Sequence, residues 1–182
     1  MTVQNSKLEV NITEKAKKIK ALILDVDGVM TDGRIIYDNF GDEFKVFDVQ
    51  DGFGLVLWFR AGLKSAIVTA KKSNIVARRA KACRITKVFQ NARDKRAVYE
   101  KVLRTFKVAD EEVCFIGDDL LDIPIMKRAG LTVAVPYSRE EVKLLAHYVT
   151  KTQGGRGAVR EIVELILKSQ GKWETITQKY FS

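Results

Sequence analysis

The sequence predicts an α/β protein with a mainly parallel sheet covered by helices on both faces. Short apolar runs at 21–24, 65–69, 87–89, 113–116 and 132–135 read as buried strands. Stretches with apolar residues three and four apart separate them, at 53–61, 74–82, 95–106, 120–129 and 139–145, and a last one follows at 158–168. Alternation of this kind requires crossover connections, hence a Rossmann-like, doubly wound sheet. One segment breaks the rhythm: Arg34 to Phe47 alternates about a turn at Asn39 to Asp42, which predicts a β-hairpin inserted after the first strand.

A chain of 182 residues, 46% hydrophobic, suits one domain spanning 1–182. Only two prolines are present, and no low-complexity tract or repeat marks a linker. No apolar run is long enough for a membrane span, and the first ten residues lack a secretory layout, so the expectation is a cytoplasmic protein with no membrane partner. Cys83 and Cys114 lie in apolar surroundings without metal-like spacing and are expected as reduced core thiols. A net charge of +9 would attract an anion, either a phosphate ester or nucleic acid. No interleaved basic and aromatic pattern supports nucleic acid, so most of these charges are assigned to solvated helix faces.

In a doubly wound sheet, ligands bind beyond the carboxyl ends of the strands. Asp25 and Asp27 follow the first strand, with Gly28 allowing a sharp turn, and Gly117-Asp-Asp-Leu-Leu-Asp122 follows the strand at 113–116. Carboxylates brought together repel one another, and a hard dication with oxygen ligands is their natural partner; magnesium fits best. Thr69 ends its strand with a hydroxyl able to donate to a phosphoryl oxygen, and Lys95 opens a helix with a fixed positive charge. Phosphoryl transfer needs alignment and charge neutralisation, which these groups supply, leaving Asp25 as a nucleophile.

In this order, the residues resemble the haloacid dehalogenase-like phosphohydrolases. Asp25-Val-Asp-Gly28 looks like the first motif, Thr69 the second, Lys95 the third, and Gly117-Asp-Asp-Leu-Leu-Asp122 the fourth. The resemblance implies an aspartyl-phosphate on Asp25, with Asp27 as acid and base. It implies magnesium on Asp25, the Asp27 carbonyl and Asp118, with Asp119 and Asp122 behind them. Larger members insert a cap domain, whereas here little more than one helix and one strand separate Thr69 from Lys95, so the fold is expected to be capless.

Within that superfamily, residues 25–33, 47–54, 117–126 and 154–161 resemble the 3-deoxy-D-manno-octulosonate 8-phosphate phosphatase family. This implies a small-molecule sugar-acid phosphate substrate, a role in lipopolysaccharide precursor synthesis, and a homotetramer with its hairpins at the centre and C-terminal segments over adjacent sites. The implied substrate shell is Asp27, Asp48, Val49, Gln50, Asp51, Gly52, Lys71, Arg79 and Lys95. Gly154, Gly155, Arg156 and Gly157 would form a subunit contact or active-site rim. The tail at 171–182, with Trp173, Tyr180 and Phe181, is expected to dock on another chain. Three departures bear on which sugar acid is bound: Lys71 and Gln50 stand where the family commonly has arginine, and Val56 where arginine is frequent.

Plainer readings stand beside these. Asp32 orders a turn with Gly33, Asp122 could cap a helix that Pro124 helps to start, Lys71 and Arg79 could be solvated charges, and His147 is read as structural. The alternatives for function are a phosphatase of a nine-carbon sialic-type sugar acid and, in another class, a phospho-accepting signalling module.

Overall fold

The computed structural model describes the backbone of residues 3–181 and the side chains of residues 11–181. In chain order it runs α1 (Val3–Lys18), β1 (Ala21–Leu24), β2 (Ile36–Tyr37), β3 (Glu43–Phe44), α2 (Val49–Arg60), β4 (Lys64–Val68), α3 (Asn74–Ala82), β5 (Lys87–Phe89) and α4 (Lys95–Phe106). It continues through β6 (Val113–Gly117), α5 (Ile123–Met126), β7 (Leu131–Ala134), α6 (Glu140–Leu145), β8 (Tyr148–Val149), α7 (Ala158–Ser169) and α8 (Trp173–Thr177).

Six strands pair in parallel in the order β5-β4-β1-β6-β7-β8. β1 is central, with Leu24 opposite Ile67 on one side and Ile116 on the other. Its side chains alternate between two buried layers. Leu22 and Leu24 pack with Ala16 of α1, Leu55 and Trp58 of α2, Val76 of α3 and Ile162 and Ile166 of α7. Ala21 and Ile23 pack with Tyr99 and Val102 of α4, Ile125 of α5 and Val142 of α6. Burial on both faces explains the unbroken apolar runs, and each fully buried Leu or Ile contributes roughly 2 kcal/mol.

The expected hairpin is present but short, pairing Ile36 with Phe44 and Tyr37 with Glu43 outside the main sheet. Its turn is tied by the Asp38 carboxylate, which accepts from the backbone N–H of Phe40 and Asp42 at 2.9 Å each. Ile36, Tyr37, Phe40, Phe44 and Val46 are exposed.

Several expectations change. α1 was not expected as a helix; Ile12, Ala16 and Ile19 join the core while lysines occupy its last turn, where cations suit the helix dipole. α2 starts four residues earlier than its periodicity suggests, because Asp48 accepts from the N–H groups of Gln50 and Asp51 and caps it there. The helix expected at 120–129 is a 3-10 turn at Leu120–Asp122 followed by the short α5. The tail does find packing in its own chain. Trp173 and Ile176 are partly buried against the core, Arg160 and Lys168 lie 5.3 and 5.1 Å from the Trp173 ring, and Tyr180 meets Phe53 edge-on at 5.6 Å. Beyond it, Phe181 is 85% exposed. Cys83 and Cys114 are free and buried, and His147 Nδ1 lies 2.7 Å from Thr132 Oγ1, joining β7 to the segment entering β8.

Candidate active site

Asp25 is the first residue past β1, and its N–H still donates to Ile116 O at 3.1 Å, so the backbone here is held by the sheet. The chain then turns back on itself: the N–H groups of Val29, Met30 and Thr31 all donate to Val26 O, and Thr31 Oγ1 accepts from Gly28 and Gly33. Gly28 has φ +89°, and a Cβ there would stand 2.0 Å from Asp118 Oδ2. Only glycine lets this loop lie against the β6 carboxylate.

Lys95, the first residue of α4, is 3% exposed. Its Nζ lies 3.1 Å from Asp25 Oδ2 and 2.6 Å from Asp122 Oδ1. Burial disfavours its charge, but the two carboxylates outweigh this and raise its pKa. Asp122 is fully buried and uses both oxygens: Oδ1 takes Lys95, while Oδ2 accepts the N–H groups of Asp118 at 2.9 Å and Asp119 at 3.2 Å. The residue therefore fixes the loop after β6 instead of capping α5, and that inward turn is why the expected helix begins as a 3-10 turn. Asp119 caps the 3-10 turn through the Leu120 N–H.

Thr69 is buried just beyond β4, its backbone bonded to Phe89 O and Ala92 N. With Asp25, Asp27, Lys71, Lys95 and Asp118 it lines an open cleft of about 280 Å³ at the carboxyl ends of the strands. A larger hollow of about 820 Å³ lies elsewhere, among Lys17 to Lys20, Glu111, Glu112 and Gln170. It has no comparable cluster of carboxylates, so the smaller cleft is the candidate site.

Other expected residues stand apart from this cleft. The Asp48 carboxylate is engaged in capping α2, Val49 is 80% exposed, and Gln50 is exposed beside it. Asp51 is buried and turned towards α7, where it accepts from Gly157 N at 3.3 Å and Arg160 N at 2.8 Å; burial pushes its pKa up to about 6. Arg79 donates to Asp48 O at 2.6 Å and lies 5.5 Å from the Phe47 ring, in space that a Cβ on Gly52 would occupy. Asp32 pairs with Arg34 in the turn expected for it. Gly154 and Gly155 brace the loop at Gly28 from behind: a Cβ on Gly154 would lie 1.8 Å from Gly28 O, and Gly155 donates to Val29 O at 3.0 Å. Arg156 is exposed on an adjoining hollow with Arg34 and Tyr137.

Lys45 was not foreseen. Its Nζ lies 2.5 Å from Asp27 Oδ1 and 3.0 Å from Glu43 Oε1, and its side chain is 1% exposed. The available signal was the alternation of the hairpin, which puts Glu43 and Lys45 on one face.

Oxygens of Asp25, Asp118 and Asp122 lie within 4.8 Å of one another. Burial and the Asp122 charge push Asp25 up to about 6 against the pull of Lys95; burial and the charges of Asp25, Asp122 and Asp119 push Asp118 up to about 7. Asp118 Oδ1 is buried with no hydrogen-bond partner. With both Asp122 oxygens already engaged, the carboxylates open to a cation are Asp25 and Asp118. A hard dication would relieve both the repulsion and the orphaned oxygen.

Comparison with known proteins agrees with this geometry. A family model described as haloacid dehalogenase-like hydrolase matches residues 65–162. The chain is 42% identical over 167 residues to the 3-deoxy-D-manno-octulosonate 8-phosphate phosphatase of Yersinia pestis, covering 92% of this chain and 89% of the relative. The structure of the Moraxella catarrhalis phosphatase of that name, in complex with magnesium ion, phosphate ion and KDO, superposes with a TM-score of 0.90 at 38% identity, covering 93% and 97% of the two chains. The cobalt-bound Haemophilus influenzae phosphatase gives 0.87 at 34% identity, covering 92% and 99%. The chain belongs to the haloacid dehalogenase-like hydrolases and, within them, to the 3-deoxy-D-manno-octulosonate 8-phosphate phosphatase family.

Proposed function

We propose that this chain is a magnesium-dependent phosphoric monoester hydrolase that converts 3-deoxy-D-manno-octulosonate 8-phosphate to the free sugar acid and phosphate. The observation that carries the reading is Lys95 held between Asp25 and Asp122 beside the orphaned Asp118 oxygen, at the mouth of the cleft that Thr69 lines. Such a cluster suits a reaction that requires up to roughly 10²¹-fold acceleration, mostly through electrostatics.

In this mechanism the Asp25 carboxylate attacks phosphorus and the bond from phosphorus to the sugar oxygen breaks, leaving an aspartyl-phosphate. Asp27 gives its proton to the departing oxygen, then takes one from the water that attacks phosphorus and frees Asp25. The Thr69 hydroxyl and Lys95 ammonium hold phosphoryl oxygens in line. Asp122 keeps Lys95 and the Asp118 loop in register. Asp25, the Asp27 carbonyl and Asp118, with Asp119 behind them, would hold magnesium, which would supply neutralising charge at the phosphoryl oxygens.

Of the proposed sugar-acid shell, Asp27, Lys71 and Lys95 reach the cleft of their own chain. Asp48, Val49, Gln50, Gly52 and Arg79 would meet substrate only across a subunit boundary, as a homotetramer would allow, whereas Asp51 is turned towards α7. The exposed apolar residues of the hairpin support assembly there. Among the described residues no helix is long and apolar enough to cross a membrane. The cellular setting proposed is the cytoplasm, in lipopolysaccharide precursor synthesis.

The test is phosphate release with and without magnesium from the eight-carbon ester, a nine-carbon sugar-acid ester and ordinary sugar phosphates. Preference for the eight-carbon ester is expected. Preference for the nine-carbon ester would reassign the substrate, and metal-independent release would remove the mechanism.

A further inference from the structure

Lys45 stands just past β3, in a hairpin whose other large side chains largely face solvent. Its stem and charged head are nevertheless withdrawn to 1% exposure. Taking an ammonium group out of water is unfavourable unless its charge is paired, and here it faces two carboxylates. Asp27 sits on a loop secured through its backbone, not its side chain, and among the described residues Lys45 is the one side chain that hydrogen-bonds the Asp27 carboxylate. Glu43 Oε1, 3.0 Å from Nζ, forms an ion pair without hydrogen-bond geometry and adds a second negative charge beside the ammonium.

We propose that Lys45 is a positioning residue for the reaction: it holds Asp27 Oδ1, so that the carboxylate keeps one rotamer and its other oxygen is available to the leaving-group oxygen and then to water. This rests on the reading that Asp27 exchanges protons with substrate. A carboxylate free to rotate would spend much of its time out of reach, and misplacing a reacting group by about 1 Å can reduce rate 10²-fold. The role predicts a particular pattern. Without Lys45 the substrate should bind nearly as before, because Lys95, Thr69 and the metal carboxylates are untouched. Proton delivery should suffer, most visibly for leaving groups that need it.

The experiment compares wild type with Lys45→Met, which keeps a flexible stem, and Lys45→Arg, which restores a donor. Each is assayed with magnesium on a sugar-acid phosphate and on an aryl phosphate whose leaving group departs without a proton. Release of the leaving group in a single turnover is followed together with kcat and KM. For Lys45→Met, kcat on the sugar ester is expected to fall about 10²-fold with KM within about threefold. Single-turnover release from the aryl ester should fall less than about tenfold, and Lys45→Arg should recover part of the loss. Unchanged kcat, a rise in KM alone, or equal losses on both esters with a lowered melting temperature would each overturn the proposal. An Asp27→Asn control separates the two ideas: full activity in that variant would remove the proton-transfer role of Asp27 itself, whatever Lys45 does.

Discussion

At the scale of single residues, Asp25 and Asp118 join charge to stability. Their pKa values lie above the usual carboxylate range, at about 6 and about 7, so without metal they favour the protonated forms on folding. Their contribution to stability is therefore complete below the unfolded value of about 4 and is lost as pH rises through the folded values. Magnesium reverses the balance by binding the ionised forms. The melting temperature of metal-free protein should fall between pH 5 and pH 8, and magnesium should raise it more at pH 8 than at pH 5. A magnesium shift independent of pH, read by calorimetry, would contradict this. Asp25→Asn should abolish multiple turnover while leaving the fold intact by circular dichroism, since the amide keeps the shape next to Lys95. Asp25, Asp27, Thr69, Lys95 and Asp118 were legible because each follows a strand or opens a helix at the same edge of the sheet. Lys45 was not: one lysine among many gains meaning only when the hairpin folds it over a residue 18 positions earlier.

At the scale of elements, carboxylates near α2 determine how its neighbours dock. Asp48 caps α2, and Asp51, three residues on, reaches the start of α7. Asp51→Ala would strand the buried Gly157 N–H and the partly buried Arg160 N–H. A loss of about 1–3 kcal/mol in chemical denaturation is expected, with KM little changed in the folded protein. A large KM effect at unaltered stability would return Asp51 to the substrate shell. The strands were easy to read, since continuous apolar runs of this length suit a sheet covered on both faces. The start of α2 was hidden because Gly52 and Gly54 are poor helix formers whose use lies in close packing, against Arg79 and Arg160. The helix after β6 was overextended because its periodicity says nothing of Asp122 turning inward to hold Lys95.

At the scale of the whole molecule, the exposed hairpin is an unpaired apolar surface on a chain of net charge +9. An assembly built through it should dissociate when charge is introduced, so Phe40→Asp is expected to give a smaller species in sedimentation velocity than wild type. A variant that sediments as wild type would take Phe40 out of the contact. If substrate is met across a subunit boundary as proposed, activity should fall with dissociation. The packing of the tail on its own chain was not legible at this scale: nothing in its own pattern reveals that Arg160, Lys168 and Phe53 offer rings and cations for Trp173 and Tyr180 to pack on.

The brace that Gly154 and Gly155 supply to the loop at Gly28 has a temporal consequence. The central strand and Asp25 are made early, but Lys95, Asp122 and the glycine brace follow, Gly155 lying 130 residues after Asp25 in sequence. Contacts of such long range close slowly. During synthesis the emerging chain therefore carries an incomplete cluster until its last quarter leaves the ribosome, and the proposed phosphate chemistry should switch on late.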